Sequence, residues 1–238
     1  MQKSSTRVLG LLGGMSWESS AQLYTLINRE VAARQGGLHS ARLLLWSVDF
    51  DEIATLQRED RWDEAGRLLG EAAAGLRRAG AGALMLATNT MHRVAPAIEA
   101  GGGLPLLHLV DLTAAALKRQ GIRRAALMGT RYTMAPGFYT ERMSAQGIAL
   151  LSPQGEAAEA VHRIIFEELC RGDVRDSSRQ ALLAQARRLA AQGAQALILG
   201  CSELGLLLDD AVQQDCPLPF FDSTRLQAQA AADWLLAP

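Results

Sequence analysis

The chain repeats itself, and that repeat limits what it can fold into. Gly80-Ala-Gly-Ala-Leu-Met-Leu-Ala-Thr88-Asn89 aligns without a gap with Gly193-Ala-Gln-Ala-Leu-Ile-Leu-Gly-Cys201-Ser202. RVLGLLGG, from Arg7, aligns with RRAALMGT, from Arg123, so Gly13-Gly14 corresponds to Gly129-Thr130. Pro105-Leu106 followed by Asp111 aligns with Pro217-Leu218 followed by Asp222. Any two α/β stretches could share one such match. Three in the same order at a nearly constant offset point to duplication.

Apolar runs alternate with Ala/Leu-rich stretches. Arg7–Leu12, Arg42–Val48, Gly82–Leu86 and Leu104–Val110 read as strands, and Ser19–Arg34 and Trp62–Ala79 as helices. Gly101-Gly102-Gly103 is a turn-rich break before the fourth strand. Such βαβα alternation gives a mainly parallel sheet covered on both faces. The expected fold is α/β, with two pseudo-symmetric Rossmann-like lobes. Each lobe is expected to be a mainly parallel four-stranded sheet flanked by helices, with the active site in the cleft between them. The first lobe is placed at residues 1–114 and the second at 115–221. A C-terminal helix within 222–238 is expected to pack back on the first. Ligands of open α/β sheets bind beyond the strand C-termini. Thr88 and Cys201 each follow a strand directly, at equivalent places in the repeat. Converging lobes would bring them to one ligand from opposite sides, which is what moving a proton between the two faces of a carbon requires.

Composition removes several classes of function. The 238 residues carry a net charge of −1 with no basic run, so neither nucleic acid nor an anionic membrane is an expected partner. No apolar run approaches the ~18–20 residues that span a bilayer. Three cysteines without a C-x-x-C pair, and no leader pattern at the N-terminus, lead us to expect a cytoplasmic protein. His39, His92, His108 and His162 show no metal-ligand spacing, so no metal is expected. G-x-S-x-G is absent. No G-x-G-x-x-G can be read from Gly10 or Gly13, although Asp49 and Asp51 lie near the end of the second strand. The two lysines, Lys3 and Lys118, do not suggest pyridoxal phosphate, so no cofactor is expected.

Cys201, in LILGCSELG, opens a turn whose backbone N–H groups are expected to favour the thiolate, with the Glu203 charge opposing it. Cys170 and Cys216 read as small buried hydrophobes. Thr88, in LMLATNTMH, is a poor base alone. It reads either as an N-cap or as a proton carrier with a neighbour to take its proton, and His92 is the nearest candidate. His92 equally reads as a structural histidine that orients the site. Thr88, Asn89 and Thr90, and likewise Ser202 and Glu203, are expected to offer clustered N–H groups to a carboxylate. The Gly13–Ser16 and Gly129-Thr130 turns are expected to do the same.

LGGMSWESSAQLY near the start, TNTMH at Thr88, GTRYT at Gly129 and GCSEL at Gly200 together resemble the aspartate/glutamate racemase superfamily, over essentially the whole chain. The family usually shows C-N-T-x-H in the first of these loops, so Thr88 stands where it has a cysteine. That departure, with VDFDEIATLQ and VHRIIFEEL, resembles the broad-specificity or L-aspartate/L-glutamate racemases that pair a threonine with a cysteine. The resemblance implies an isomerase independent of pyridoxal phosphate, with aspartate, glutamate or a wider set of amino acids as substrates. It implies Thr88 and Cys201 as acid/base residues. It places Asn89 and Thr90 on a substrate carboxylate and Met15, Ser16 and Thr130 in the pocket lining, with Ser202 also among the substrate-binding residues. Gln57 falls on the distal group and Arg171 on a carboxylate, with His92 and Glu203 as auxiliaries. It also implies a homodimer. Two other readings stay open. One is a decarboxylase or cis–trans isomerase using Cys201 alone, which carbon dioxide release would reveal. The other is a non-catalytic amino-acid binder, which would bind without exchanging the α-proton.

Overall fold

The computed structural model describes residues 7–237. In chain order the elements are β1 (Leu9–Gly13), α1 (Trp17–Gln35), β2 (Leu43–Ser47), α2 (Phe50–Arg58), α3 (Trp62–Arg78), β3 (Ala83–Leu86), α4 (Ala95–Gly102), α5 (Leu109–Arg119), β4 (Arg124–Gly129), α6 (Arg131–Met134), α7 (Phe138–Ala145), β5 (Ala149–Leu151), α8 (Glu156–Arg163), α9 (Asp176–Ala191), β6 (Leu197–Gly200), β7 (Phe220–Asp222) and α10 (Ser223–Leu236). They form two compact units. One runs up to Leu109 and takes in the chain from Gln227 onward; the other is Val110–Leu226. Among the described residues no helix is long and apolar enough to cross a membrane.

In the first unit the parallel sheet has the order β2-β1-β3. Every residue of β1 and β3 is buried, which is why both read as unbroken apolar runs. The predicted fourth strand, Leu104–Val110, shrinks to a single parallel bridge between Leu84 and Leu106. Leu84 N donates to Pro105 O and Leu107 N to Leu84 O. Pro105 has no N–H to extend the ladder, and the chain turns into α5 at Leu109. The sheet is therefore three-stranded rather than four-stranded. On one face α1 buries Leu23, Ile27 and Val31 at helical spacing. On α3, Gly66 and Gly70 let α4 approach closely. A Cβ on Gly70 would lie 3.0 Å from Ala97 O, and one on Gly101 would lie 2.8 Å from Gly70 Cα. The later part of α10 belongs here: Gln227 Nε2 donates to Leu86 O at 2.8 Å, and Asp233 accepts from Arg34.

In the second unit the parallel sheet has the order β5-β4-β6-β7. Leu182, Leu183, Ala186, Ile165, Leu197 and Leu199 meet in its core. Helix α8 runs on into a π turn, Ile164–Glu168, and a 3₁₀ turn, Leu169–Arg171. Ser223 Oγ donates to Leu199 O at 2.7 Å. The two sheets share one plan. The first strand of each repeat lies between the second and third, and Gly80 and Gly193 occupy equivalent turns with positive φ (103° and 94°).

Candidate active site

In the first unit, parallel pairing of β1 with β3 brings their C-terminal ends together, with Leu12 opposite Leu86 and Ala87 N bonded to Leu12 O at 2.8 Å. The two following turns therefore share one edge of the sheet. After β1, Gly14 takes φ 92°, and a Cβ there would collide with the Val48 carbonyl oxygen. Ser20 Oγ ties this turn down: it accepts from Gly14 N and donates to Ser16 O, both at 2.8 Å. Ser16 caps α1, and Met15 is buried. After β3 come half-buried Thr88, buried Asn89 and a 3₁₀ turn, Thr90–Val94. Gln57, on α2, reaches the same turn, its Nε2 donating to Met91 Sδ at 2.9 Å.

His92 is committed on both ring nitrogens. A carbonyl only accepts, so Nδ1–H donates to Thr88 O at 2.8 Å. A backbone N–H only donates, so Nε2 accepts from Leu109 N at 3.2 Å. These bonds require the neutral ring with its proton on Nδ1. The expectation that His92 could take the Thr88 hydroxyl proton is corrected: the ring holds the Thr88 carbonyl and orients the turn. Thr88 is not its N-cap either, since Asn89 holds that position.

In the second unit, Gly129 pairs with Gly200, so Thr130 and Cys201 leave the sheet side by side. A Cβ on Gly129 would lie 2.9 Å from Gly200 O, so glycine permits this close approach. Thr130 is buried and caps α6 by accepting from Thr133 N. Cys201 precedes a 3₁₀ turn, Ser202–Leu206. Its Sγ–H donates to Glu203 Oε2 at 2.8 Å, and Ser202 Oγ donates to the same oxygen at 2.8 Å. Burial first, then the Glu203 charge and that hydrogen bond, push the thiol well above its usual range. The expected thiolate is therefore corrected to a thiol. A five-residue 3₁₀ turn supplies little dipole, while a carboxylate in contact opposes ionisation directly.

Arg171 is exposed, in the 3₁₀ turn that packs against Ser202–Leu206. Cys170 beside it is also exposed rather than buried, because the helix loosens through the π turn before reaching it; Cys216 is buried. The Cys170 sulfur adds a smaller upward push to the Cys201 thiol. Met15, Gln57, Asn89, Thr90 and Thr88 thus gather in the first unit, and Thr130, Ser202, Glu203 and Cys201 in the second, with Arg171 on an adjoining turn.

Sequence reasoning passed over Ser20 and weighed His162 only as a metal ligand. Ser20 follows Ser16 by one helical turn, and that spacing was a legible signal. His162 Nδ1 accepts from Arg131 N at 3.5 Å, and its ring meets Tyr132 and Phe166. Burial, then the Arg131 charge, lower its pKa, so it stands as a neutral acceptor beside the Thr130 turn. Among the described residues no three His, Cys, Asp or Glu side chains form a metal-holding group.

The sequence profile of the Asp/Glu/hydantoin racemase family matches residues 12–231. A Yersinia pestis protein with a provisional Asp/Glu racemase assignment is 49% identical, with a TM-score of 0.91 over 97% of this chain and 99% of that one. An aspartate racemase homologue from Pyrococcus horikoshii is 27% identical, with a TM-score of 0.82 over 96% and 99%. The aspartate racemase of Picrophilus torridus shares the fold at 18% identity, with a TM-score of 0.71 over 96% and 94%.

Proposed function

Because the chain belongs to the Asp/Glu/hydantoin racemase family, we propose that it racemises amino acids at the α-carbon without pyridoxal phosphate or metal, with Cys201 and Thr88 as its proton carriers. Aspartate and glutamate, the substrates named for its relatives, are the first to test. The observation that carries the reading is the Cys201 thiol just beyond β6, hydrogen-bonded to the Glu203 carboxylate at 2.8 Å. It is a proton donor with its own proton acceptor. Passing the proton to Glu203 leaves a thiolate, which can take the α-proton of the substrate. The C–H bond breaks, an S–H bond forms, and the electron pair stays on carbon. Thr88 then returns a proton to the other face and recovers one from solvent, to which Glu203 releases the proton it took. Asn89, Thr90, Thr130 and Ser202 offer donors to the carboxylate on which the charge develops. Gln57, an amide rather than a cation, suits a distal group that need not be charged, and Arg171 supplies a positive charge nearby.

The two carriers are unequal: Cys201 has an acceptor in contact, while His92 is committed elsewhere. One enantiomer is therefore expected to exchange its α-proton faster than the other. The test is α-deuterium uptake in D₂O, followed by NMR across D- and L-amino acids. Cys201→Ser is expected to lower exchange by about 10²-fold or more, and Thr88→Ala to suppress exchange of one enantiomer selectively. Binding without exchange in the wild type would overturn the reading. Equal exchange of both enantiomers, unaffected by Thr88→Ala, would remove Thr88 from it. The engagement of both His92 nitrogens also favours a second reading, protonation of an enolate by Cys201 alone after decarboxylation. Release of carbon dioxide would identify it.

A further inference from the structure

Two thiols of the second unit stand on neighbouring turns. Cys170 lies in the 3₁₀ turn Leu169–Arg171, and Cys201 directly precedes the 3₁₀ turn Ser202–Leu206. Residues of these two turns come within 8 Å of one another at Cα. One buried leucine from each, Leu169 and Leu204, sits in the same core cluster, and Cys201 packs against that cluster. The Cys170 sulfur is near enough to act electrostatically on the Cys201 thiol. The surroundings of the two sulfurs differ. Cys170 is exposed, whereas Cys201 is half-buried and its thiol is engaged by Glu203 at 2.8 Å. A small oxidant therefore meets Cys170 first.

The backbone at Cys170 has room to adjust. A disulfide takes Cα separations of roughly 4.4–6.8 Å, so the two turns have to close up. Glu168, which accepts from Ser178 Oγ, and buried Leu169 hold the base of the Cys170 turn. Beyond it Gly172 takes φ 74°, with nothing within 4 Å of the place a Cβ would take. A glycine in open space changes its dihedral angles without a clash, so the movement can be confined to Cys170–Gly172.

We propose that Cys170 is an oxidation site for hydroperoxides, and that its product is a reversible disulfide with Cys201. The Cys170 sulfur attacks one oxygen of hydrogen peroxide. An S–O bond forms and the O–O bond breaks. The second oxygen leaves as water with the thiol proton, and sulfur is oxidised to the sulfenic acid. Cys201 then passes its proton to Glu203, and the thiolate attacks the sulfenic sulfur. An S–S bond forms, the S–O bond breaks, and the departing hydroxide takes the proton from Glu203 as water. Two thiols lose two electrons in all, and one peroxide becomes two waters. The bond ties up the Cys201 sulfur until a dithiol reduces it. Its effect on activity rests on the reading of Cys201 as a proton carrier; the bond itself does not.

The test treats the full chain with hydrogen peroxide in slight excess, under dilute conditions. Non-reducing peptide mass spectrometry follows the thiols, and α-deuterium uptake follows the activity. A peptide joining Cys170 to Cys201 within one chain is expected to appear as exchange is lost, and dithiothreitol to reverse both. Cys170→Ser is expected to keep the basal exchange rate, to form no linked peptide and to lose exchange at least about tenfold more slowly, because the Cys201 thiol is the less reactive one. Oxidation of Cys170 to sulfinic acid with no linked peptide, linkage to Cys216, or linkage between two copies would overturn the proposal. So would exchange lost equally fast in Cys170→Ser. A linked peptide in a chain that never exchanges α-protons would support the oxidation site and overturn the racemase reading instead.

Discussion

Glu203→Gln isolates the reason why Cys201 stays protonated. The thiol donates to Oε2 at 2.8 Å, which puts the centre of the carboxylate charge roughly 4 Å from sulfur. At an effective dielectric constant of about 20, two like charges at that separation repel by about 4 kcal/mol. Both side chains are half-buried, and solvent screening brings this to about 2 kcal/mol. An amide of the same shape removes the charge but keeps an acceptor, and it leaves burial, the largest upward cause, in place. About 2 kcal/mol corresponds to roughly 30-fold more thiolate at neutral pH. Alkylation of Cys201 by iodoacetamide at pH 7.5 should therefore speed up about 30-fold, with its pH profile moved to lower pH. The measurement belongs in a Cys170→Ser background, read by peptide mass spectrometry, because Cys170 is exposed and would react as well. An unchanged or slower rate would refute the assignment of Glu203 as the group that keeps the thiol protonated.

Three further outcomes follow from the same structure. His92→Ala leaves the Thr88 carbonyl and the Leu109 N–H without their ring partners, so urea denaturation should show a loss of about 2–3 kcal/mol; a loss below 0.5 kcal/mol, on that order, would mean that the ring does not hold the turn. Gly14→Ala forces a Cβ into the Val48 carbonyl at positive φ, and calorimetry should show destabilisation by about 2 kcal/mol or more, whereas Gly172→Ala, at a left-handed α site with open space, should cost only about 1 kcal/mol. Burial raises the pKa of Cys201, Cys216 and Tyr139, so the folded chain keeps these protons longer than the unfolded one. Their contribution is complete below the unfolded values of about 8.5 for a thiol and 10 for tyrosine, and it is lost as pH rises from these through the higher folded values; a melting temperature that stays level between pH 8 and pH 10.5 would contradict this.

The central strands were readable because β1, β3 and β6 are buried throughout, and burial on both faces writes itself as an unbroken apolar run. The repeat made legible that the two sheets share one plan, though not their strand order. Leu104–Val110 misled because it has the composition of a strand, while Pro105 and the early start of α5 decide its course, and periodicity does not register them. Around the site, the sequence pointed to the turns that follow the strands but not to how their residues bond. The position of Glu203 in the turn and the sign of its charge effect were evident, yet which influence wins at Cys201 depends on a side-chain rotamer that brings Oε2 to sulfur. The role of His92 depends on Leu109, seventeen residues away in the chain, and no local pattern reports such a contact. Arg171 and Cys170 lie past a π turn, where one extra residue rotates every later side chain away from the face that helical spacing predicts.

The first unit is completed by the last stretch of the chain. Gln227 supplies the partner of Leu86 O, Asp233 accepts from Arg34, and Trp234 packs over Gly82. The second unit, Val110–Leu226, is continuous in sequence. On the ribosome the order of completion is therefore reversed. The half made first waits, with Leu86 O lacking its Gln227 donor, while the half made second can close as soon as it emerges. At ~5–20 residues per second, the first sheet spends several seconds as an unfinished intermediate, and in that window a chaperone would find its exposed apolar surface.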